Sequence, residues 1–142
     1  MPNTENLRYL MERIWNKSLY HNQRYYIDYS KGRFYRCLAG WDCYLRKFYP
    51  VNDWDEIWQN SRDFNGLTQS EATLLFSQRT NKKIHLSTLI SLEEGRRLNC
   101  DQFNITSINY DLPFCSIISS GRTEEKIKEF FNGEQLFTAK RY

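Results

Sequence analysis

Residues 67–98 constrain the fold most, because two short amphipathic helical patterns follow each other closely within this stretch. Thr68 and Glu71 have the spacing of a capping box, in which two side chains bond free backbone N–H groups at a helix start. A connector that carries Lys82 and Lys83 leads to the second apolar helix face. The stretch therefore predicts two packed helices joined by a basic segment.

The first helix is expected to begin at Asn3 or Thr4 and to end near Lys17. Apolar residues recur at steps of three and four along it, which is the period of one buried helix face. The residues of this face are Leu7, Leu10, Met11, Ile14 and Trp15.

Residues 24–38 predict a β-hairpin, since they are rich in aromatic and β-branched side chains and contain Lys31-Gly32 as a turn. A two-residue turn separates apolar from polar faces better than a three-residue turn with a glycine bulge, so we favour the former. In that register Tyr26, Arg33 and Tyr35 share one exposed face. Such a patch suits contact with a protein partner, although an ordinary amphipathic sheet surface has the same pattern.

Two further helices are expected before residue 67. Gly40 is predicted to break the chain, and helical spacing returns at Trp41. Asn52 or Asp53 would cap the next helix, which ends at Asn65-Gly66.

The C-terminal part combines one open assignment with two firm ones. Residues 100–112 suit a helix or a strand, and residues 114–118 form a short strand or buried connector. A last helix starts at Gly121 and is expected to end at Asn132-Gly133, with Ile127, Phe130 and Phe131 facing inward.

These elements predict an α+β fold: an N-terminal helix and β-hairpin, then a mainly helical helix-turn-helix-like section, then a C-terminal helix. The corresponding sections are residues 1–50, 51–118 and 119–142, which we expect to pack as one compact unit. Residues 1–49 hold nine Lys/Arg against four Asp/Glu, residues 50–75 one against five, and residues 76–99 five against two. This alternation would direct partners to particular faces.

No enzymatic motif is present. His21 and His85 are the only histidines, and the chain lacks a Gly-rich phosphate loop, a metal triad and a nucleophile elbow. We therefore expect a non-enzyme without cofactor or metal. With no signal-peptide pattern or membrane-length apolar stretch, a cytoplasmic protein that contacts no membrane is expected. The four cysteines would then be reduced thiols in the core.

The residues Arg62, Gly66-Leu67-Thr68-Gln69 and Ser87-Thr88-Leu89-Ile90-Ser91, followed by Glu94-Gly95-Arg96, resemble the Cro/phage-repressor (XRE) type helix-turn-helix over about residues 53–112. The spacing of Ile105, Ile108 and Leu112 looks like the fourth helix of that family. The resemblance implies that Gln69 touches a phosphate. It also implies that Ser87 and Thr88, with their neighbour His85, enter the major groove.

One feature departs from the family, which joins its second and third helices by a tight turn around glycine. Here Phe76–Leu86 is about six residues too long and lacks glycine. Either the second helix is extended and a basic loop follows it, or Ile84–Ile90 is a strand.

The expected function is a DNA-binding transcriptional regulator, dimeric through the aromatic N-terminal layer. The competing expectation is a small protein-binding module or inhibitor, such as a phage or mobile element encodes, acting through the face of Tyr26, Arg33 and Tyr35. Duplex DNA would be bound by helix-start groups and flanking basic residues: Thr68, Gln69, Lys82, Lys83, His85, Ser87, Thr88, Arg96 and Arg97.

Overall fold

A three-stranded sheet and six helices make up the described part of an α+β fold. The structure is a computed structural model and describes residues 1–48, 55–98 and 116–131. The elements are α1 (Thr4–Trp15), β1 (Tyr25–Ser30), β2 (Arg33–Tyr35), α2 (Leu38–Leu45), α3 (Asp55–Asn65), α4 (Gln69–Phe76), α5 (Lys82–Glu93), β3 (Ser116–Ile118) and α6 (Gly121–Phe131).

Helix α1 confirms the sequence prediction at both its start and its buried face. The side chain of Asn3 caps it by accepting a hydrogen bond of 3.2 Å from the backbone N–H of Asn6. The apolar stripe is buried in the main core and packs with residues of α2 to α5. Because the stripe follows the helical period, one face of the helix is removed from water along its length.

The hairpin has the favoured two-residue turn, with Ser30 opposite Arg33. Lys31 and Gly32 have φ angles of 53° and 74°, the left-handed conformations of a type I′ turn. Strand β1 also pairs in parallel with β3, so it is the central strand of the order β2-β1-β3. The sequence did not predict this parallel pairing.

Both faces of β1 are covered, so the expected exposure of Tyr26 is wrong. Tyr26 is 4% exposed, and its neighbour Ile27 is fully buried on the opposite face. Helix α2 packs closely on the backbone at Tyr26. Helix α6 is held against the strand by a 2.8 Å hydrogen bond from Tyr29 N to Thr123 Oγ1.

Gly40 lies inside α2, and the predicted chain break there is wrong. The helix starts at Leu38, after Cys37, whose Sγ accepts from Gly40 N at 3.4 Å. A Cβ at position 40 would lie 2.3 Å from the carbonyl oxygen of Tyr26. The glycine is therefore needed for the close approach of α2 to β1.

The stretch 67–98 forms two helices, and the strand alternative for residues 84–90 is wrong. The capping box at the start of α4 is present in both directions, with Glu71 N bonded to Thr68 Oγ1 and Thr68 N to Glu71 Oε1. Helix α5 begins at Lys82, so the connector comprises only residues 77–81. The expected connector, which extended to Leu86, was too long because the N-cap of α5 is Asn81.

The C-terminal helix follows β3 as expected, but only part of its inward face is buried. Ile127 is 1% exposed, whereas Phe130 is 60% exposed, so the inward assignment of Phe130 is wrong. Within the described residues no helix has the length and apolar character required to cross a membrane. The thiols of Cys37 and Cys43 are buried as predicted. Other expectations lie outside the described residues: the cap at Asn52 or Asp53, residues 100–112 with Cys100, Cys115, and the helix end at Asn132-Gly133.

Candidate nucleic-acid interface

The predicted DNA-binding residues divide between the two ends of α5. Lys82 and Lys83 are exposed in its first turn, and Ser87 is half-buried one turn further on. Thr68, Gln69, Arg96 and Arg97 lie at the other end, where α4 starts and α5 has just ended. A helix of 12 residues is about 18 Å long, so these are two separate groups.

His85 and Thr88 are correctly placed on α5 but cannot contact a ligand. His85 is 2% exposed and Thr88 is fully buried. Both face the core because they are three residues apart on the same side of the helix. Their assignment to base contact is corrected for this reason.

Arg97 is bound to the protein itself. Its Nη2 lies 2.5 Å from Oε1 of the buried Glu71 and 3.1 Å from the carbonyl oxygen of Gly66. Arg96, by contrast, is exposed and pairs only with the exposed Glu94. Arg97 therefore stabilises the start of α4, and its guanidinium is not free for a phosphate.

The first half of α5 and the loop after α1 create one basic surface. Residues 13–27 and 72–92 contain no Asp or Glu. Two contacts bring these segments together at the end of α1: Lys82 Nζ lies 5.5 Å from the Trp15 ring centroid, and the rings of His21 and His85 are 6.2 Å apart. We call the exposed cations of these segments the basic end: Lys17, Arg24, Arg79, Lys82 and Lys83.

The acidic residues of α5 lie away from the basic end. Glu93 receives two hydrogen bonds from Arg8 of α1, at 2.6 and 2.7 Å, and these bonds hold its pKa below the usual value. None of the five cations of the basic end has a salt bridge with another described residue. The basic end therefore carries positive charge that the described residues do not neutralise.

Gln23 holds the two segments of the basic end together. Its Nε2 donates to the carbonyl oxygens of Leu75 and Ser77, at 2.9 and 3.2 Å. Its Oε1 accepts from His21 Nε2 at 2.6 Å and from Leu38 N at 3.4 Å. One side chain thus fixes the end of α4, the connector and the loop after α1.

The two histidines beneath the basic end are held neutral. Burial, followed by the proximity of His21, lowers the pKa of His85 from 6.5 to about 4. Burial also lowers the pKa of His21. His85 Nε2 faces the carbonyl oxygen of Leu75 at 3.1 Å, and because a carbonyl only accepts, this nitrogen carries the proton.

The predicted partner-binding face keeps only two of its three residues. Tyr26 is buried, but Arg33 is exposed and Tyr35 is half-buried. Tyr20 joins them, with its ring centroid 5.6 Å from that of Tyr35 and 4.6 Å from the guanidinium carbon of Arg33. Sequence reasoning missed Tyr20 because it lies in the loop before the hairpin.

Sequence reasoning found two of the five cations of the basic end and missed Lys17, Arg24 and Arg79. The signal available was the absence of acidic residues from both segments. Their meeting in space depends on Gln23, for which the sequence carries no local signal.

Comparison with known proteins adds no relative. No protein-family model matches the chain, and no curated protein or solved structure is significantly similar to it. The resemblance to the Cro/phage-repressor type therefore stays a prediction.

Proposed function

We propose that this chain binds duplex DNA, with the basic end placed against the phosphate backbone. The observation that supports the proposal is the collection of five exposed cations on two acid-free segments. Phosphates attract such a surface, and release of their counterions supplies sequence-independent affinity. A regulatory role would follow from recognition of a particular site.

Helix α5 provides the element nearest the groove in this proposal. Its first turn is exposed and basic, while its last turn carries Glu93 and Glu94. The positive end of the helix dipole adds to the charge of Lys82 and Lys83. The N-terminal half of α5 would therefore approach DNA and its acidic C-terminal end would point away, as a recognition helix does.

The succession α3, α4, α5 is compatible with a helix-turn-helix of unusual connection. Five residues, 77–81, separate α4 from α5, against the three or four that are typical of the motif. Gln69 and Ser87 remain partly exposed and keep their proposed contacts with phosphate and base edges. His85, Thr88 and Arg97 have no part in the proposal.

The proposal is tested by DNA binding at several salt concentrations. Affinity for mixed-sequence duplex should fall log-linearly from about 50 to about 200 mM salt. The Lys82→Ala/Lys83→Ala variant should bind at least tenfold more weakly at low salt, with a slope that is shallower by about two phosphate contacts. A higher affinity for selected duplex sequences would distinguish a regulator from a general DNA binder.

A matched control removes the same charge elsewhere. Lys126→Ala/Lys128→Ala takes two cations from α6, outside the basic end. This variant should keep the wild-type salt slope. Absence of binding at low salt, or an equal loss in the control, would refute the proposal.

A further inference from the structure

A polar pocket lies between the hairpin and the loop that follows α1. Its volume is about 450 Å³, which is within the range of about 300–1,000 Å³ usual for small-molecule sites. We call it the hairpin pocket, and its chemically active lining residues are Asn22, Asp28, Ser30, Lys31 and Tyr35. An aromatic ring, a carboxylate and an ammonium group thus border one space.

The carboxylate of Asp28 is a fixed hydrogen-bond acceptor in this pocket. Ser30 Oγ donates to its Oδ2 at 3.2 Å, and Ser119 Oγ donates to its Oδ1. An ionised carboxylate offers about four acceptor positions, so two remain for a ligand. Because the serines restrict its rotation, the group would bind a matching pair of donors with little ordering cost.

The remaining walls supply donors and an aromatic face. Asn22 Oδ1 accepts from Arg24 N, at 3.0 Å, which leaves its Nδ2 without a partner among the described residues. Tyr35 presents a ring that is backed by Tyr20, and Arg33 covers the ring of Tyr20. Stacked aromatic and guanidinium groups of this kind bind nucleobases. Lys31, exposed in the turn, adds a positive charge at the rim.

We propose that the hairpin pocket binds a guanine base carried on a phosphorylated sugar. Guanine has a ring N–H beside an exocyclic amine, so its edge offers two adjacent donors to one carboxylate. Adenine, cytosine and uracil each place an acceptor beside the donor on that edge, and the acceptor would face Asp28 unfavourably. Tyr35 would stack on the base and Lys31 would meet the phosphate.

The pocket adjoins the basic end, which suggests two sources for the base. Gln23 lines the pocket and bonds the connector that precedes Lys82. An unpaired guanine could therefore enter the pocket while its strand crosses the basic end. A free guanosine phosphate would use the same groups. Only the strand source depends on the proposed DNA binding.

The test is titration of the full chain with guanosine, inosine, adenosine, cytidine and uridine monophosphates, followed by calorimetry or amide chemical shifts. Guanosine monophosphate should bind at least tenfold more tightly than the other four, because inosine lacks the exocyclic amine and the other three lack adjacent donors. Asp28→Asn should abolish this preference, whereas Asp63→Asn, an exposed acid on α3, should leave it unchanged. Equal binding of all five, or no binding, would overturn the proposal.

A second variant keeps the test valid if Asp28→Asn fails to fold. Lys31→Asn retains a residue that tolerates positive φ. It should weaken guanosine monophosphate several-fold and leave the nucleoside guanosine unchanged. Equal binding of the monophosphate by the variant and the wild type would contradict the role of Lys31.

Single-stranded oligonucleotides separate the two sources and the two proposals. If the source is a strand, a guanine-containing oligonucleotide binds more tightly than the mononucleotide and loses this advantage in Lys82→Ala/Lys83→Ala. If the source is a free nucleotide, that variant leaves guanosine monophosphate binding unchanged and the oligonucleotide gains nothing. Salt-dependent duplex binding without mononucleotide binding would refute the pocket alone, and the reverse result would refute the DNA proposal alone.

Discussion

Acid should destabilise this protein through His85. In the folded chain the imidazole is buried against Leu75 and Thr80, and its pKa is about 4. In the unfolded chain the pKa returns to the ordinary value of about 6.5. The folded state therefore binds fewer protons than the unfolded state between these values, and its stability falls as the pH decreases from 6.5 to 4.

The size of the effect follows from the two pKa values of His85. A difference of about 2.5 units corresponds to a loss of about 3 kcal/mol once the pH is below both values. Between pH 7 and pH 5 the loss is about 2 kcal/mol by the same relation. Glu93 does not contribute in this window, because its lowered pKa makes it titrate at more acidic pH.

Urea unfolding, followed by tryptophan fluorescence at pH 5, 6 and 7, measures this loss. The His85→Gln variant keeps an N–H donor for the carbonyl oxygen of Leu75 but does not titrate. It should be less stable than wild type at pH 7 and lose much less free energy between pH 7 and pH 5. His21→Gln, as a comparison, should retain most of the slope. An equal decrease in wild type and His85→Gln would refute the reasoning.

Three substitutions test other features of the core by their effect on the free energy of unfolding at pH 7. Gly40→Ala should destabilise by about 1–3 kcal/mol although alanine favours helices, since its Cβ would meet the Tyr26 carbonyl oxygen; a stabilised variant would contradict the close approach. Thr88→Val should be neutral or stabilise by up to about 1 kcal/mol, because Thr88 Oγ1 is buried without a partner in the described structure; a clear loss would reveal one. Arg97→Ala should cost about 1–2 kcal/mol, a value reduced by the 45% exposure of Arg97, because it leaves the Glu71 carboxylate buried without its cation; an unchanged midpoint would argue against the pair.

The sequence predicted those parts of the fold that depend on neighbouring residues. The capping box of Thr68 and Glu71, the turn at Lys31-Gly32 and the buried stripe of α1 each need only three to eleven consecutive residues. It failed where a distant element decides the outcome. Gly40 was taken as a break because glycine is poor in helices, whereas tertiary packing against β1 requires it there.

The burial of Tyr26 shows the same limit for strands. Alternation separates the two faces of a strand, but it does not tell whether one or both are covered. Strand β1 is covered on both sides because it is central and lies between helices. A pattern with one apolar and one mixed face thus described its chemistry correctly and its exposure wrongly.

The candidate interface was predicted in part for a comparable reason. Lys82 and Lys83 stand out as adjacent cations at a helix start, which is local information. The hairpin pocket joins Asn22 to Asp28 and Tyr35 through folding, and the serine that fixes Asp28, Ser119, is ninety-one residues away in sequence. No periodicity carries such a relation, so only the structure could suggest this pocket.

Helix α4 explains why two separate groups of polar residues remain compatible with one ligand. It is buried on nearly all sides, and its eight residues span about 12 Å, which equals the approximate width of the major groove. Its start carries Gln69, while its end, through Leu75 and Gln23, supports the basic end. Under the DNA proposal, the first group would meet the phosphates of one strand and the basic end those of the other. The rigidity of α4 would set that spacing, which gives a fully buried helix a direct role in recognition.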